Sequence, residues 1–439
     1  MKEKIISNIF FSFIEKFFII SSQFFISMLL IRCLERQDYG IIGVVSGYFV
    51  FINILNISLE SIILKDHKKY DKKLEKYIYN FFIFNLFKSF LFIILAIVLS
   101  YYLTNKFSNV EFVYSIFSIT IIYIADALVS PLVIYNSVKF NQKLVTKISF
   151  VRTVLNILIL LGIFYIPTLQ FVFFKDLIVS IIYISLWLFA TMKILDLRKI
   201  DPINDLDILF IKKSFFEYAL WTHLNGVITN FIYKSDTFFL SMFAGLVTVG
   251  NYNIALNSAN IANILPMILG YQTSIAVSNA KDRNQEFIIS NMFIRLSIYI
   301  GIIILFLFFF FGDFYLYLMT GEYINKEIYF YMMMIVLGLV IVKSFASPLN
   351  AYINIKGSVY SLFKNVLMIV FIFTGIIYFF SAKYFGAYGL AISNVFISIF
   401  WFILIVREVK KYGYKFDTLL DIRNDYQFIK KVLKNDYFR

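Results

Sequence analysis

Residues 77–104, YIYNFFIFNLFKSFLFIILAIVLSYYLT, carry one charge, Lys88, in 28 positions. A helix rises about 1.5 Å per residue, so roughly 20 apolar residues cross the hydrocarbon core of a bilayer. Comparable runs recur at Ile5–Ile31, Gly40–Leu64, Val110–Asn136, Ile148–Ile166 and Gln170–Met192. After a polar break they resume at Ser214–Ala244, Val247–Ser278, Phe287–Phe311, Lys326–Tyr352, Tyr360–Ser381 and Phe385–Val406. The pattern predicts an all-α polytopic membrane protein with about twelve transmembrane helices. The runs are too long and too continuously apolar for the alternating strands of an outer-membrane barrel. Composition agrees: 439 residues are 60% hydrophobic, 20% aromatic and only 15% charged, with mean hydropathy +0.79. Soluble domains hold roughly 45–50% apolar and 25% charged residues. Cys33 is the sole cysteine, which excludes an intrachain disulfide.

The formal net charge of +14 raises the question of nucleic acid, and the position of the charges answers it. Lysines and arginines crowd alternate loops: Lys65 to Lys76, Lys139 to Lys147, Arg198 to Lys213, Lys281 and Arg283, Lys356, and the tail from Lys410. The opposite loops hold only Arg36, Lys106, Lys326 and Lys383. This alternation follows the positive-inside rule and predicts that both termini are cytoplasmic. The basic surplus is therefore topological and indicates no nucleic-acid partner. Membrane lipids are expected partners of the basic loops. The basic start Met1–Lys4 precedes an apolar run longer than a signal-peptide core, with no small-residue cleavage site, so a first membrane helix is expected there. The outward loops are short, the longest being about Gly312–Asn325. They leave no room for an external catalytic domain.

The expected organisation is a six-helix lobe at 1–192, a cytoplasmic linker at 193–213, a second six-helix lobe at 214–409 and a basic tail at 410–439. The lobes enclose a central cavity. Gly40 and Gly250 coincide when the start of each half is laid over the other, which suggests parallel lobes related by an axis along the membrane normal.

Ionisable residues at helix centres cost roughly 2.5–3.5 kcal/mol on insertion scales, so each needs a reason. Lys16, Lys88, Lys234, Arg295 and Lys343 are central cations, against Glu15, Asp126 and Asp236. Polar residues also repeat at helical spacing: Gln23 on the first span, Asn53 on the second, Asn225 on the seventh, Asn253, Asn257 and Asn260 on the eighth, Asn350 on the tenth. Hydrogen-bonding glue between helices accounts for any single Asn or Ser. Local pairs such as Glu15–Lys16 and Lys234–Asp236 can neutralise themselves. For the charge set as a whole, a water-filled cavity that receives an anion is the stronger reading. Two distant histidines, His67 and His223, and one cysteine form no metal site of ordinary composition, and no nucleophile–base pair is visible. No Walker A lysine motif and no cofactor signature appear. His223 is expected to be a packed interface residue.

Three segments in order carry a resemblance. Leu29–Leu30–Ile31–Arg32 with Asp38–Tyr39–Gly40 resembles the end of the first span in bacterial polysaccharide flippases. Tyr233–Lys234–Ser235–Asp236–Thr237 followed by Val249–Gly250–Asn251–Tyr252–Asn253–Ile254–Ala255 is similar to their seventh and eighth spans. Lys383–Tyr384–Phe385–Gly386–Ala387–Tyr388–Gly389–Leu390–Ala391 resembles the start of their last span. The chain departs from that family at Asn56–Ile57–Ser58, where a glycine is common. The resemblance is to Wzx-type O-antigen or capsule repeat-unit translocases, of the multidrug/oligosaccharidyl-lipid/polysaccharide exporter superfamily. It implies flipping of an undecaprenyl-pyrophosphate-linked oligosaccharide across the bacterial inner membrane, for O-antigen, lipopolysaccharide or capsule synthesis. It further implies coupling to H+ or Na+, with Asp236, Glu60 and Asp126 as candidate carriers. A polysaccharide polymerase and chain-length proteins are further candidate partners. The alternatives are a multidrug or cation antiporter of the same superfamily, whose cargo favours an acidic cavity, and a membrane polymerase or glycosyltransferase, which needs a larger outward loop.

The topology has a direct test. A membrane-impermeant maleimide should label Cys33 in intact cells, whereas labelling only after permeabilisation would reverse the orientation.

Overall fold

The computed structural model describes residues 2–57, 59, 74–138, 141–192, 205–216, 220–263, 269–270, 273, 277, 280, 282–322, 325–417 and 419. Glu60, which the sequence offers as an ion carrier, lies outside them. The described chain is helical, without strands. In order run α1 (Lys2–Cys33), α2 (Arg36–Ile52), α3 (Leu74–Phe107), α4 (Glu111–Val138), α5 (Gln142–Leu160) and α6 (Leu169–Met192). A short helix at Ile208–Ser214 precedes α7 (Leu220–Phe243) and α8 (Leu246–Ala259). Then come α9 (Arg283–Thr320), α10 (Lys326–Lys356) and a helical run at Met368–Lys411.

That last run holds two helices. Gly386 adopts φ 58° and ψ −141°, which breaks it into α11 (368–385) and α12 (387–411). Twelve residues of straight helix span about 18 Å, yet the hydroxyls of Ser381 and Ser393 are 2.6 Å apart. The rings of Phe373 and Phe400 are likewise 4.2 Å apart. Both pairs are centred on the break, so the chain doubles back there as a helical hairpin. Positive φ is the conformation that favours glycine.

Among the described residues, eight helical stretches are long and apolar enough to cross a bilayer, the last being the whole of Val359–Lys411. Each of the twelve apolar segments read from the sequence falls on helix, in whole or in part, among the described residues. Outward-facing side chains match a lipid solvent: Phe309 and Phe310 on α9 are 64% and 59% exposed. The protein is a polytopic all-α membrane protein. One boundary differs from the sequence reading. α9 continues to Thr320, so most of the expected loop Gly312–Asn325 is helix.

The chain divides into two compact units, Met1–Asn253 with Leu318–Gly321, and Ile254–Tyr317 with Glu322–Arg439. In the first, α1 packs on α5, α3 and α6 pack on α4, and α2 packs on α7. Its apolar core includes Phe81, Ala125, Val129, Tyr183 and Trp187. Arg32 ties in the short piece Leu318–Gly321 by donating from Nη2 to the Leu318 carbonyl at 2.6 Å. In the second, α10 packs on the α11–α12 hairpin, with Gly338 against Asn394 and Ser398. The chain after α12 turns at Gly413 (φ +66°) and buries Tyr414. The Tyr414 hydroxyl donates to Asn291 Oδ1 at 2.8 Å, and its ring meets Phe287 and Tyr352. Burial raises the Tyr414 phenol above its ordinary range, so it remains a neutral donor.

The closest backbone approach lies in the first unit. Gly40, Gly43 and Gly47 share one face of α2. A Cβ on Gly40 would sit 2.0 Å from the Leu246 carbonyl oxygen, and one on Gly250 would sit 2.3 Å from that of Arg36. Gly43 faces the Asn253 side chain, and Gly47 faces Thr237 and Phe238. Lipid supplies little hydrophobic drive between helices, so small residues that permit backbone contact hold membrane helices together. The glycines paired by the sequence repeat thus touch each other. Gly40→Ala and Gly250→Ala should each destabilise the protein by at least ~1–3 kcal/mol, as overpacking does. Gly375→Ala, with nothing within 4 Å of the added Cβ, should be neutral or stabilising by ~0.5–1 kcal/mol. Thermal unfolding in detergent measures both.

Candidate functional site

The glycine face of α2 positions one polar cluster. Asp236 on α7 is fully buried, and its Oδ2 accepts from the Tyr252 hydroxyl of α8 at 2.9 Å. Its Oδ1 accepts from the Thr237 backbone N–H at 2.8 Å. Thr237 lies against Gly47, and Asn253, one residue beyond Tyr252, lies against Gly43. Asn253 Nδ2 and Ser235 Oγ are buried with no hydrogen-bond partner among the described residues. Lys234 is exposed, and its ammonium interacts with Asp236 through space.

A second cluster sits where α2 ends. Asn53–Leu55 forms a 3-10 turn, closed by the Asn56 N–H on the Asn53 carbonyl at 3.0 Å. Asparagine competes with its own backbone for hydrogen bonds, which suits it to such a helix end. Unwinding frees carbonyls that hydrocarbon cannot satisfy. Lys88 of α3 takes the Ile57 carbonyl at 3.1 Å, and His223 Nε2 meets the Ile54 carbonyl at 2.9 Å. Lys88 is only 4% exposed, and the sequence does not reveal its role in securing this helix end.

Acidic groups in the first unit fall into two kinds. Asp126 on α4 is ion-paired with Arg152 of α5 at 2.6 Å, and the guanidinium lies 4.2 Å from the Tyr183 ring centre. Asp176 on α6 is buried with Lys175 at 2.5 Å and accepts a bond from Ser118. Glu15 is held differently, by Gln142 Nε2 at 2.7 Å and Ser149 Oγ at 2.9 Å. Beside it is a cavity of about 10 Å³ lined in part by Phe18, Thr146 and Thr153, near the lower limit for one water. The sequence reading missed Gln142, Thr146, Ser149 and Thr153, although their spacing of three and four residues marks one helical face.

The remaining candidates are scattered. Lys16 is on α1 and Lys343 on α10, with side chains outside the described set. Gln23 is exposed on α1, and Asn225 is half-buried on α7 with Oδ1 unpartnered among the described residues. In the second unit Asn257 is half-buried on α8, and Asn260 accepts from Asn263 at 3.3 Å. Asn350 Oδ1 on α10 is buried without a partner among the described residues. Arg295 on α9 is 5% exposed, and its charge acts on the Tyr414 phenol. The structure therefore brings Asp236 together with Asn253, and Lys88 with the turn opened by Asn53.

No protein-family model matches the chain, and no curated protein matches it. Solved structures do. The chain is similar to a multidrug resistance MATE family transporter of the MOP superfamily in its inward-facing conformation, at 14% identity and TM-score 0.56, covering 90% of this chain and 95% of that one. It is similar to a mutant of the Vibrio cholerae MATE transporter VcmN at 12% identity and TM-score 0.58, covering 93% and 97%. A eukaryotic MATE transporter matches at 11% identity and TM-score 0.58, covering 91% and 97%. At such identities the likeness is one of fold. The chain has a MATE-like fold.

The contacts distinguish anchoring side chains from surface ones. Lys88→Met should lower stability by ~1–3 kcal/mol, because it leaves a buried carbonyl unmet. Tyr252→Phe should cost ~1.5–3 kcal/mol, as expected for a bond to a charged group. Gln23→Ala, at an exposed position on α1, should change stability by about 0.5 kcal/mol or less. Unfolding midpoints of the purified variants give the comparison.

Proposed function

We propose that this chain moves an undecaprenyl-pyrophosphate-linked oligosaccharide from the inner to the outer leaflet of a bacterial cytoplasmic membrane. The observation that carries this reading is the sign of the charge within the spans. Lys16, Lys88, Lys234, Arg295 and Lys343 exceed Glu15, Asp126 and Asp236 in number. A pyrophosphate offers compensation for cations that are otherwise costly in a membrane. Sugar hydroxyls suit the amide faces of Asn53, Asn225, Asn253, Asn257, Asn260 and Asn350, with Gln23. The lobes 1–192 and 214–409 rock about the cargo while its lipid tail stays in the bilayer, as in alternating access. The linker 193–213 and tail 410–439 then lie in the cytoplasm.

Asp236 is the favoured carrier of the coupling ion. It is fully buried on α7, where it accepts hydrogen bonds from Tyr252 and the Thr237 backbone. Asp126 is ion-paired with Arg152 at 2.6 Å, a contact that ion uptake there would have to break. The glycan's export, the polymerase and the chain-length proteins belong to the same proposal.

A second reading has a specific observation behind it: the similar solved structures are MATE transporters, one described as a multidrug resistance transporter. A multidrug exporter with cationic cargo needs a net acidic cavity, which the charge balance of these spans opposes.

Complementation of a translocase-deficient strain separates the readings, with membrane protein quantified for every variant. Arg295→Gln and Asp236→Asn should each reduce polysaccharide export by roughly 10-fold or more, about 1.4 kcal/mol. Arg295→Lys should retain more than Arg295→Gln. Full export by alanine variants of all five cations would sink the proposed mechanism. Failure to complement together with a gain in resistance to cationic drugs would favour the exporter.

A further inference from the structure

The last turns of α12 present a groove outside the clusters described above. Ile403, Val406, Arg407, Lys410 and Lys411 line an open cavity of about 550 Å³. Their spacing of three, four, seven and eight residues puts them on one helical face. The opposite face carries Trp401, which is 1% exposed. The groove face is thus the outer one, and it changes character along the helix, from Ile403, 55% exposed, to three cations. From Ile403 to Lys410 the helix rises about 10 Å, comparable to the ~5–10 Å headgroup–acyl boundary.

The cations are not equally committed. Glu408, on the buried side, accepts from Lys411 at 2.7 Å and from Ser361 and Asn365. Among the described residues no carboxylate pairs with Arg407 or Lys410. Attraction to the helix C-terminus explains one cation in the last turn. It does not explain an arginine and a lysine bordering a groove whose adjoining wall is apolar. An apolar wall continuous with two cations that no described carboxylate pairs with matches one class of molecule, an anionic lipid lying along the helix.

We propose that this groove binds an anionic phospholipid of the leaflet on the basic-loop side, with the phosphate at Arg407 and Lys410 and an acyl chain along Ile403 and Val406. Arginine contributes a planar fork for phosphate oxygens, and lysine a compact charge. The site anchors the end of the last membrane helix at the bilayer surface.

Native mass spectrometry of the full-length protein tests this, with phosphatidylglycerol, phosphatidylethanolamine and polyprenyl phosphate as probes. The wild type should retain phosphatidylglycerol in preference to phosphatidylethanolamine. The R407Q/K410Q variant should lose roughly 10-fold in that retention, about 1.4 kcal/mol. The charge-preserving R407K/K410R should keep it. Both positions are exposed, so an unchanged unfolding midpoint is expected and is measured alongside. Equal retention of the two phospholipids by the wild type, or unchanged retention by R407Q/K410Q, overturns the proposal. Preferential displacement of phosphatidylglycerol by polyprenyl phosphate also overturns it, by assigning the groove to a lipid cargo. The translocation reading stands or falls separately, on polysaccharide export by these variants.

Discussion

Backbone contact between α2 and the α7–α8 pair rests on the absence of three side-chain atoms. With no Cβ at Gly40, Gly43 and Gly47, α2 meets the Leu246 carbonyl, Asn253 and the backbone at Phe238. Gly250 makes the reciprocal approach to the Arg36 carbonyl. In hydrocarbon such contact supplies dispersion that water exclusion cannot. Its consequence is positional. The seam presses α2 onto the stretch of α7 and α8 that carries Asp236, Thr237, Tyr252 and Asn253, and so gives a buried carboxylate a fixed set of neighbours.

A related constraint governs the other end of α2. Once Asn53 ends the regular helix, each freed carbonyl requires a donor that lipid cannot provide. Lys88 and His223 supply two. A lysine near the middle of an apolar span therefore has a use that involves no ligand. The same distinction runs through the acids. Asp126 and Asp176 have cations beside them, whereas Glu15 accepts bonds from Gln142 and Ser149.

Much of the fold was legible in the residues. Span length follows from bilayer thickness, so 77–104 and its counterparts could be marked as helices without knowing a contact. Gly386 stands in a glycine-containing segment of the sequence. Its positive φ and the Ser381–Ser393 contact show that it is the corner of a hairpin. Gly40 and Gly250 occupy equivalent positions in the two halves of the sequence, and in the structure they touch. The site was less legible. Hydropathy and charge say that Lys88, Lys234 and Arg295 lie in apolar spans, but not which face each helix turns inward. Lys88 is buried against a carbonyl, Lys234 is exposed, and Arg295 lies near Tyr414.

The sequence by itself determined the solvent, the helical class and the approximate spans, because these depend on local composition and on the fixed rise of a helix. Tertiary structure decided the partners: Arg152 for Asp126, Tyr252 for Asp236, Gln142 and Ser149 for Glu15. The physical reason is distance along the chain. Glu15 and Gln142 are separated by 127 residues, and no periodicity within either helix specifies the rotation that brings them within hydrogen-bonding reach.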